Sequence, residues 1–168
     1  MEASVTIIAT PAEDHDAFEE MSLEDRKRRS GGYETFPVRS GRALDTFVMQ
    51  ATGVELSVFE SSEEEVDKDG RTVQSCVITE DIIPDVVTRL VALVETKADK
   101  TVQALCKHGG GTADPARVAE ALRSGAWPTS GDAAEEAAAF AHQLLKYARF
   151  AEEDLIGLCW EYQGKIEP

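Results

Sequence analysis

The chain has 168 residues, and 32 acidic residues against 17 lysines and arginines give it a formal net charge of −15 at pH 7. A chain of this length suits a single domain with a sizeable core, and three cysteines are too few for a disulfide framework. The acidic excess argues against a nucleic-acid-binding protein, because affinity for phosphate backbones comes largely from clustered Lys and Arg, and an acidic surface instead attracts basic proteins.

The sequence shows no segment typical of secretion or of membrane insertion. Its first 16 residues, MEASVTIIATPAEDHD, have neither the basic start nor the long apolar run of a signal peptide. No later apolar run approaches the roughly 20 residues that a membrane-spanning helix needs. We therefore expect a cytoplasmic protein with reduced cysteines and no membrane partner.

The first third of the chain predicts short strands and one helix. Residues 5–8 are all β-branched, which favours a strand. Residues 13–29 have helical propensity but few apolar positions, so we expect a short surface helix or an ordered loop there. A second strand is predicted at 33–38 and a short helix at 44–50.

A β-hairpin is predicted next, from two runs on either side of an Asp-Gly pair. In the first run, 54–60, the apolar residues Val54, Leu56 and Val58 alternate along the chain. The second run is 71–79, and Asp69-Gly70 precedes it directly. Asp-Gly between two such runs is a strong hairpin signal, because both residues tolerate the left-handed conformation of a tight turn.

From Thr79 onward the pattern changes to helices. Residues 79–100 begin with a capping-type Thr79 and have Pro84 near their start. Their apolar residues fill one half of a helical wheel, so this helix is predicted to be the spine of the core. Further helices are predicted around Val102 to Cys106, at 115–123 and at 133–153.

The chain closes with a strand at 155–162, in which apolar residues alternate again. Strands before and after a block of helices predict a single α+β domain over residues 1–168. We expect a small, mostly antiparallel sheet packed against several helices. It would include the 54–60/71–79 hairpin and the C-terminal strand 155–162.

The stretch 106-CKHGGGTADP-115 resembles a reactive loop in composition but predicts a joint between two helices. It lacks the spacing and the following lysine of a phosphate-binding loop. Cys106 and His108 supply too few ligands for zinc, and a helix C-terminus raises the pKa of a thiol. Gly109 can take a left-handed cap, and Asp114-Pro115 is typical of a helix start.

A dense acidic cluster occupies residues 60–69, ESSEEEVDKD. Its acids are Glu60, Glu63, Glu64, Glu65, Asp67 and Asp69. Part of it imitates the start of a calcium loop, but Cys76 stands where such a loop needs a bidentate Glu. The acidic cluster is therefore either a solvated hairpin tip or a docking face for a cationic partner, whose Lys and Arg would relieve the repulsion.

The long helix predicted at 133–153 carries a second surface candidate. Its apolar residues share one face, so His142, Lys146, Arg149 and Glu153 form a ridge on the other. Phe150 lies beside this ridge. We expect the ridge to face water or a partner.

Two functions from different classes fit this sequence, and a structural subunit of an assembly is a third. The first is a non-catalytic protein whose acidic cluster docks onto and neutralises a basic protein, as an immunity protein or inhibitor blocks a bacterial toxin. The second is a small enzyme or ligand-binding domain with a pocket between sheet and helices. G-x-S-x-G and H-E-x-x-H are absent from the sequence, and no catalytic residue, metal ligand or cofactor is predicted. The identity of the partner and the oligomeric state stay open.

Overall fold

A computed structural model describes residues 3–10, 32–56, 63–66, 72–154 and 156–167. These residues form strands and helices in an α+β arrangement, which confirms the predicted fold class. The strands are β1 (Ala3–Thr10), β2 (Gly32–Val38), β3 (Glu63–Val66), β4 (Thr72–Ile78) and β5 (Gly157–Gln163). The helices are α1 (Leu44–Thr52), α2 (Ile83–Val91), α3 (Ala98–His108), α4 (Pro115–Ser124) and α5 (Ala133–Asp154), and a π-helical turn (Ala92–Thr96) follows α2.

The strands form one antiparallel sheet in the order β2-β1-β5-β4-β3. Trp160 of β5 lies opposite Ile7 of β1 on one side and Cys76 of β4 on the other. The predicted C-terminal strand is thus the central strand of the sheet. Residues 157–162 are all buried, as is usual for a strand with neighbours on both edges and cover on both faces.

The core lies between one face of the sheet and the helices. Helix α5 packs against this face, where the ring of Phe140 meets that of Trp160 edge to face at 6.2 Å. The predicted apolar face of α5 is confirmed, since every residue assigned to it is buried: Ala137, Phe140, Ala141, Leu144, Leu145, Ala148 and Ala151. A 3.6-residue period places these side chains on one side of the helix.

Most predicted elements are confirmed with small shifts at their ends. Strands predicted at 5–8, 33–38 and 155–162 are β1, β2 and β5, and the helix at 44–50 is α1. The segment 13–29 lies outside the described residues. The later helices, α3, α4 and α5, are also where the sequence predicts them.

The helix predicted at 79–100 starts later than its capping signal suggests. The Thr79 hydroxyl donates to the carboxylate of Asp81, and α2 begins at Ile83 with Pro84 in its first turn. The π-helical turn then separates α2 from α3. The predicted apolar side is nevertheless correct, because Val86 and Leu90 are fully buried.

The predicted hairpin is correct in its second strand and wrong in its first. Residues 54–56 are not in a strand, and 57–60 lie outside the described residues. The first strand is instead Glu63–Val66, within the acidic cluster, and Glu65 lies opposite Val73. Leu56 is fully buried from a non-strand segment, so the alternation around it reports burial rather than a strand. A charged segment can form β3 because an edge strand need not be buried.

A buried glutamate joins α5 to the turn that follows β2. Glu136, in the first turns of α5, is fully buried. Its two carboxylate oxygens accept hydrogen bonds of 2.9 Å from the backbone N–H groups of Arg39 and Ser40. The N-terminal end of the helix favours a negative charge there. These two hydrogen bonds satisfy the buried carboxylate and hold the turn after β2 against the start of α5.

We expect Glu136→Gln to lower the free energy of unfolding by about 2 kcal/mol or more. The side chain of Gln has one acceptor oxygen, whereas the backbone N–H groups of Arg39 and Ser40 each donate to a separate carboxylate oxygen of Glu136. Glu135→Gln is the matched control. Glu135 is also buried, but it accepts from the hydroxyl of Ser130, which can rotate to accept from a Gln instead. Urea unfolding of both variants measures the difference. Equal losses would show that the paired amide bonds are not what Glu136 contributes.

Candidate functional site

The structure places half of the acidic cluster in the outermost strand of the sheet. Glu63, Glu64 and Glu65 form β3 together with Val66, and Glu63 lies opposite Ser75 of β4. Glu60, Asp67 and Asp69 lie outside the described residues. Three of the six acids of the cluster are thus in a strand.

The outer side of β3 is a free sheet edge as far as the described chain extends. Within residues 3–10, 32–56, 63–66, 72–154 and 156–167, β3 pairs with β4 alone. An edge strand presents backbone N–H and C=O groups that can pair with another strand. The sequence of this edge strand carries three successive glutamates, Glu63, Glu64 and Glu65.

The other edge of the sheet, β2, is covered differently. The indole N–H of Trp127 donates to the carbonyl of Pro37 at 2.7 Å, and its ring stacks on Phe36 at 4.5 Å. Pro37 also has no N–H to offer a further strand. An aromatic cover and a proline thus protect the β2 edge of the sheet.

The ridge predicted on α5 makes contacts with several other elements. His142 donates from Nδ1 to the carbonyl oxygen of Leu122 in α4 at 2.9 Å. Lys146 lies 3.0 Å from Glu34 of β2. Arg149 pairs with both carboxylate oxygens of Glu95 in the π-helical turn, at 2.6 and 3.2 Å. Phe150 is 38% exposed, and Glu153 is exposed as well.

Three residues of this ridge, His142, Lys146 and Arg149, line a groove of about 680 Å³ between the π-helical turn, α3, α4 and α5. We call it the helical groove. Its apolar lining is Val94, Ala98, Val102, Ala119, Leu122 and Leu145. Its polar lining is Glu95, Asp99, Arg123, His142, Lys146 and Arg149.

The π-helical turn shapes one wall of the helical groove. Its characteristic hydrogen bond runs from the N–H of Lys97 to the carbonyl of Ala92 at 2.7 Å. The buried hydroxyl of Thr101 lies 2.6 Å from the carbonyl oxygen of Leu93, which it satisfies. Single π-helical turns often occur at functional sites, because they displace side chains from the regular helical positions.

A glycine lets α4 and α5 approach closely beside the groove. Gly125 follows α4 with φ +71°, and a Cβ there would overlap the ring of His142 and come within 2.9 Å of Nε2 of Gln143. Gln143 also donates from Nε2 to the carbonyl of Gly125 at 2.9 Å. A side chain at this position would therefore force His142 and Gln143 of α5 to move.

We expect Gly125→Ala to be clearly more destabilising than Gly53→Ala. Both glycines end a helix with a left-handed backbone, at φ +71° and +75°, which costs an alanine about 1–2 kcal/mol. A Cβ on Gly53 meets nothing within 4 Å, whereas one on Gly125 adds overpacking of about 1–3 kcal/mol. Thermal unfolding of the two variants gives the comparison, and similar melting temperatures would contradict this packing.

The acids that pair with the ridge are held in their ionised forms. Hydrogen bonds from Arg149 lower the pKa of Glu95, which outweighs a smaller effect of burial, and His142 contributes as well. At Glu34, burial raises the pKa, but the hydrogen bonds from Lys146 and Tyr147 together outweigh it, so the pKa is lowered. At neutral pH both acids are therefore carboxylates.

The lowered pKa of Glu34 predicts a pH-dependent stability. A carboxyl with a lowered pKa stabilises the fold fully above its ordinary value of 4.5, and the contribution is lost as the pH falls through the lower folded value. We expect Glu34→Gln to destabilise by up to about 1 kcal/mol at pH 7, since the ion pair with Lys146 is largely exposed. The difference between variant and wild type should shrink below pH 4.5. Denaturant unfolding across pH 3 to 7 measures it, and a constant difference would contradict the role of the ionised form.

The glycine stretch at 106–115 is a turn that connects helix α3 to helix α4. Helix α3 ends at His108, whose ring meets Phe47 edge on at 4.7 Å. The side chain of Asp114 accepts from the N–H of Ala116 at 3.0 Å and caps α4, as predicted. The left-handed glycines are Gly110 and Gly111, however, not Gly109, which has φ −76°. The turn therefore begins one residue later than the sequence suggests.

The thiol in this joint is poorly ionised. Burial raises the pKa of Cys106, and the carboxylates of Asp132 and Asp114 raise it further. A nucleophilic cysteine needs the opposite, a lowered pKa. Among the described residues no group of His, Cys, Asp and Glu is arranged to hold a metal ion.

None of the helices in the described ranges is long and apolar enough to cross a membrane.

Comparison with known proteins finds no matching family model, no matching curated protein and no matching solved structure. Within the part of the chain that the structure describes, the strand β3 with its three glutamates and the helical groove are the two candidate binding surfaces.

Proposed function

We propose that this protein is a non-catalytic binding protein that docks onto a basic protein and neutralises it, as an immunity protein or inhibitor does with a bacterial toxin. The observation that carries the proposal is the position of Glu63, Glu64 and Glu65 in an edge strand. Charge and an open strand edge coincide there. The acidic edge combines two means of recognising an extended basic segment.

The backbone of β3 supplies one part of the recognition. A segment of the partner can pair with the outer side of β3 as a further strand, which gives affinity through main-chain hydrogen bonds. Lys or Arg residues of that segment then lie across from glutamates. Opposite charges across neighbouring strands contribute roughly 0.2–1 kcal/mol each.

The charge of the whole chain supplies the other part. A net charge of −15 attracts a cationic protein from a distance and speeds the encounter, as long as salt does not screen it. Charges at the rim of an interface act mainly on association rather than on dissociation. The acidic edge would direct the final approach.

The test compares two triple variants that each remove three negative charges. Glu63→Gln/Glu64→Gln/Glu65→Gln neutralises β3. Glu152→Gln/Glu153→Gln/Asp154→Asn neutralises an exposed acidic run at the end of α5 and is the matched control. The control should fold at least as well as wild type, because acids at a helix C-terminus are unfavourable.

The first probe is a short peptide that alternates Lys with Val. Wild type and the α5 variant should bind it, and the β3 variant should bind it about tenfold more slowly at low salt. A peptide of equal charge with Pro in place of alternate Val should bind weakly, since Pro cannot complete a strand. Association rates at low and high salt measure this. Equal loss in both triple variants would mean that net charge alone matters, and the proposal would fail.

The native partner is then sought by capture from cell extract with the same three proteins. We expect a basic protein that wild type and the α5 variant retain and the β3 variant loses. If the β3 variant instead aggregates while retaining the same partners, the glutamates serve only to keep sheet edges from associating.

A further inference from the structure

The helical groove has the size and the floor of a site for a small molecule. Its volume of about 680 Å³ falls within the roughly 300–1,000 Å³ typical of ligand pockets. Val94, Leu122 and Leu145 are buried at its base. Ala98 and Ala119 leave space above them because their side chains end at Cβ. The groove can therefore shelter an apolar molecule along one side.

The rim of the helical groove reverses the charge of the chain. In a protein of net charge −15, Arg123, Lys146 and Arg149 outnumber Glu95 and Asp99 around this one opening. The bases lie on α4 and α5, and the acids lie on the π-helical turn and α3. Arg149 is matched by its bidentate pair with Glu95. The α4–α5 side therefore favours an anionic group, and the α3 side disfavours one.

The two other bases can be recruited by a ligand. Arg123 pairs with Glu120, and Lys146 with Glu34, and neither acid lines the groove. All four side chains are more than 40% exposed. Exposed ion pairs of this kind contribute little, typically about 0–1 kcal/mol. An anion that is already anchored by its apolar part can compete with these acids for both bases.

The wall formed by the π-helical turn and α3 is held together before any ligand binds. The buried hydroxyl of Thr101 in α3 lies 2.6 Å from the carbonyl oxygen of Leu93 and ties the π-helical turn to α3. A groove with a preformed wall loses less conformational freedom on binding.

We propose that the helical groove binds a small monoanionic amphiphile, a molecule with a single carboxylate on a linear or flat apolar body. The apolar body covers the floor of the groove, and the carboxylate lies at the bases of α4 and α5. A second anionic group would face Glu95 and Asp99, so a dianion is disfavoured. This site uses none of the residues of β3 and goes beyond the protein-binding role.

The experiment uses three probes with the same ten-carbon chain: decanoate, decanol and decyltrimethylammonium. Titration calorimetry at 0.15 M salt screens the long-range field of the protein. We expect decanoate to bind most tightly, about tenfold or more ahead of the cationic probe, with decanol between them. If no probe binds, or if the cationic probe binds best, the proposal is overturned.

Variants on one helix locate the binding. Arg123→Gln should weaken decanoate several-fold, to about tenfold, and leave decanol unchanged. Arg117→Gln is the matched control, because Arg117 also lies on α4 with an i,i+3 acidic partner, Asp114, but does not line the groove. Ala119→Trp should fill the groove and weaken both probes, while its exposed position spares the fold. Undiminished decanoate binding by Ala119→Trp, or equal effects at Arg117 and Arg123, would place the site elsewhere and refute the proposal.

Discussion

The sheet depends on β5, because this central strand pairs with β1 on one edge and with β4 on the other and so joins two antiparallel strand pairs. β1 with β2 lies on one side of it, and β4 with β3 on the other. A two-stranded pair alone is marginally stable in water, so each pair gains its stability by adding to β5. Trp160 meets α5 from the same strand, and the buried hydroxyl of Tyr162 donates to Asp45 of α1 at 2.7 Å and accepts from its backbone N–H. One strand thus aligns the sheet with two helices.

Sequence patterns predict the helices and strands that bury one apolar face, and they miss those whose formation depends on pairing or contact with another element. The faces of α2 and α5 could be predicted because their apolar residues repeat with the helical period. Asp114-Pro115 predicts the start of α4 through local capping chemistry. The strand β3 could not be predicted, since EEEV has neither alternation nor a β-branched run, and its pairing is set by β4. Glu136 was equally hidden, because a buried carboxylate at a helix start has the same sequence signature as an exposed one.

The two candidate surfaces differ in how much of each can be predicted from the sequence. The acidic cluster is contiguous in the chain, so its charge density is visible without a structure. The helical groove collects residues from four elements, and the sequence indicates only the ridge on α5, as cations on the polar side of a helix. Tertiary contacts make that ridge one wall of the groove. Gly125 lets α4 approach α5, and Glu95 of the π-helical turn pairs with Arg149. The proposed roles also separate charges in space, with an acidic sheet edge for a protein and a basic rim for a small anion.

The π-helical turn has a consequence for how the chain can vary in length. Such a turn contains one residue more than an α-helical turn closed over the same span. Deleting a single residue between Ala92 and Thr96 would let α2 continue as a regular helix without the bulge, so the side chains of the π-helical turn, that of Glu95 among them, would move relative to α5. Glu95 would then lose its alignment with Arg149. In homologous chains that keep this groove, the number of residues in the segment should therefore vary less than their identity.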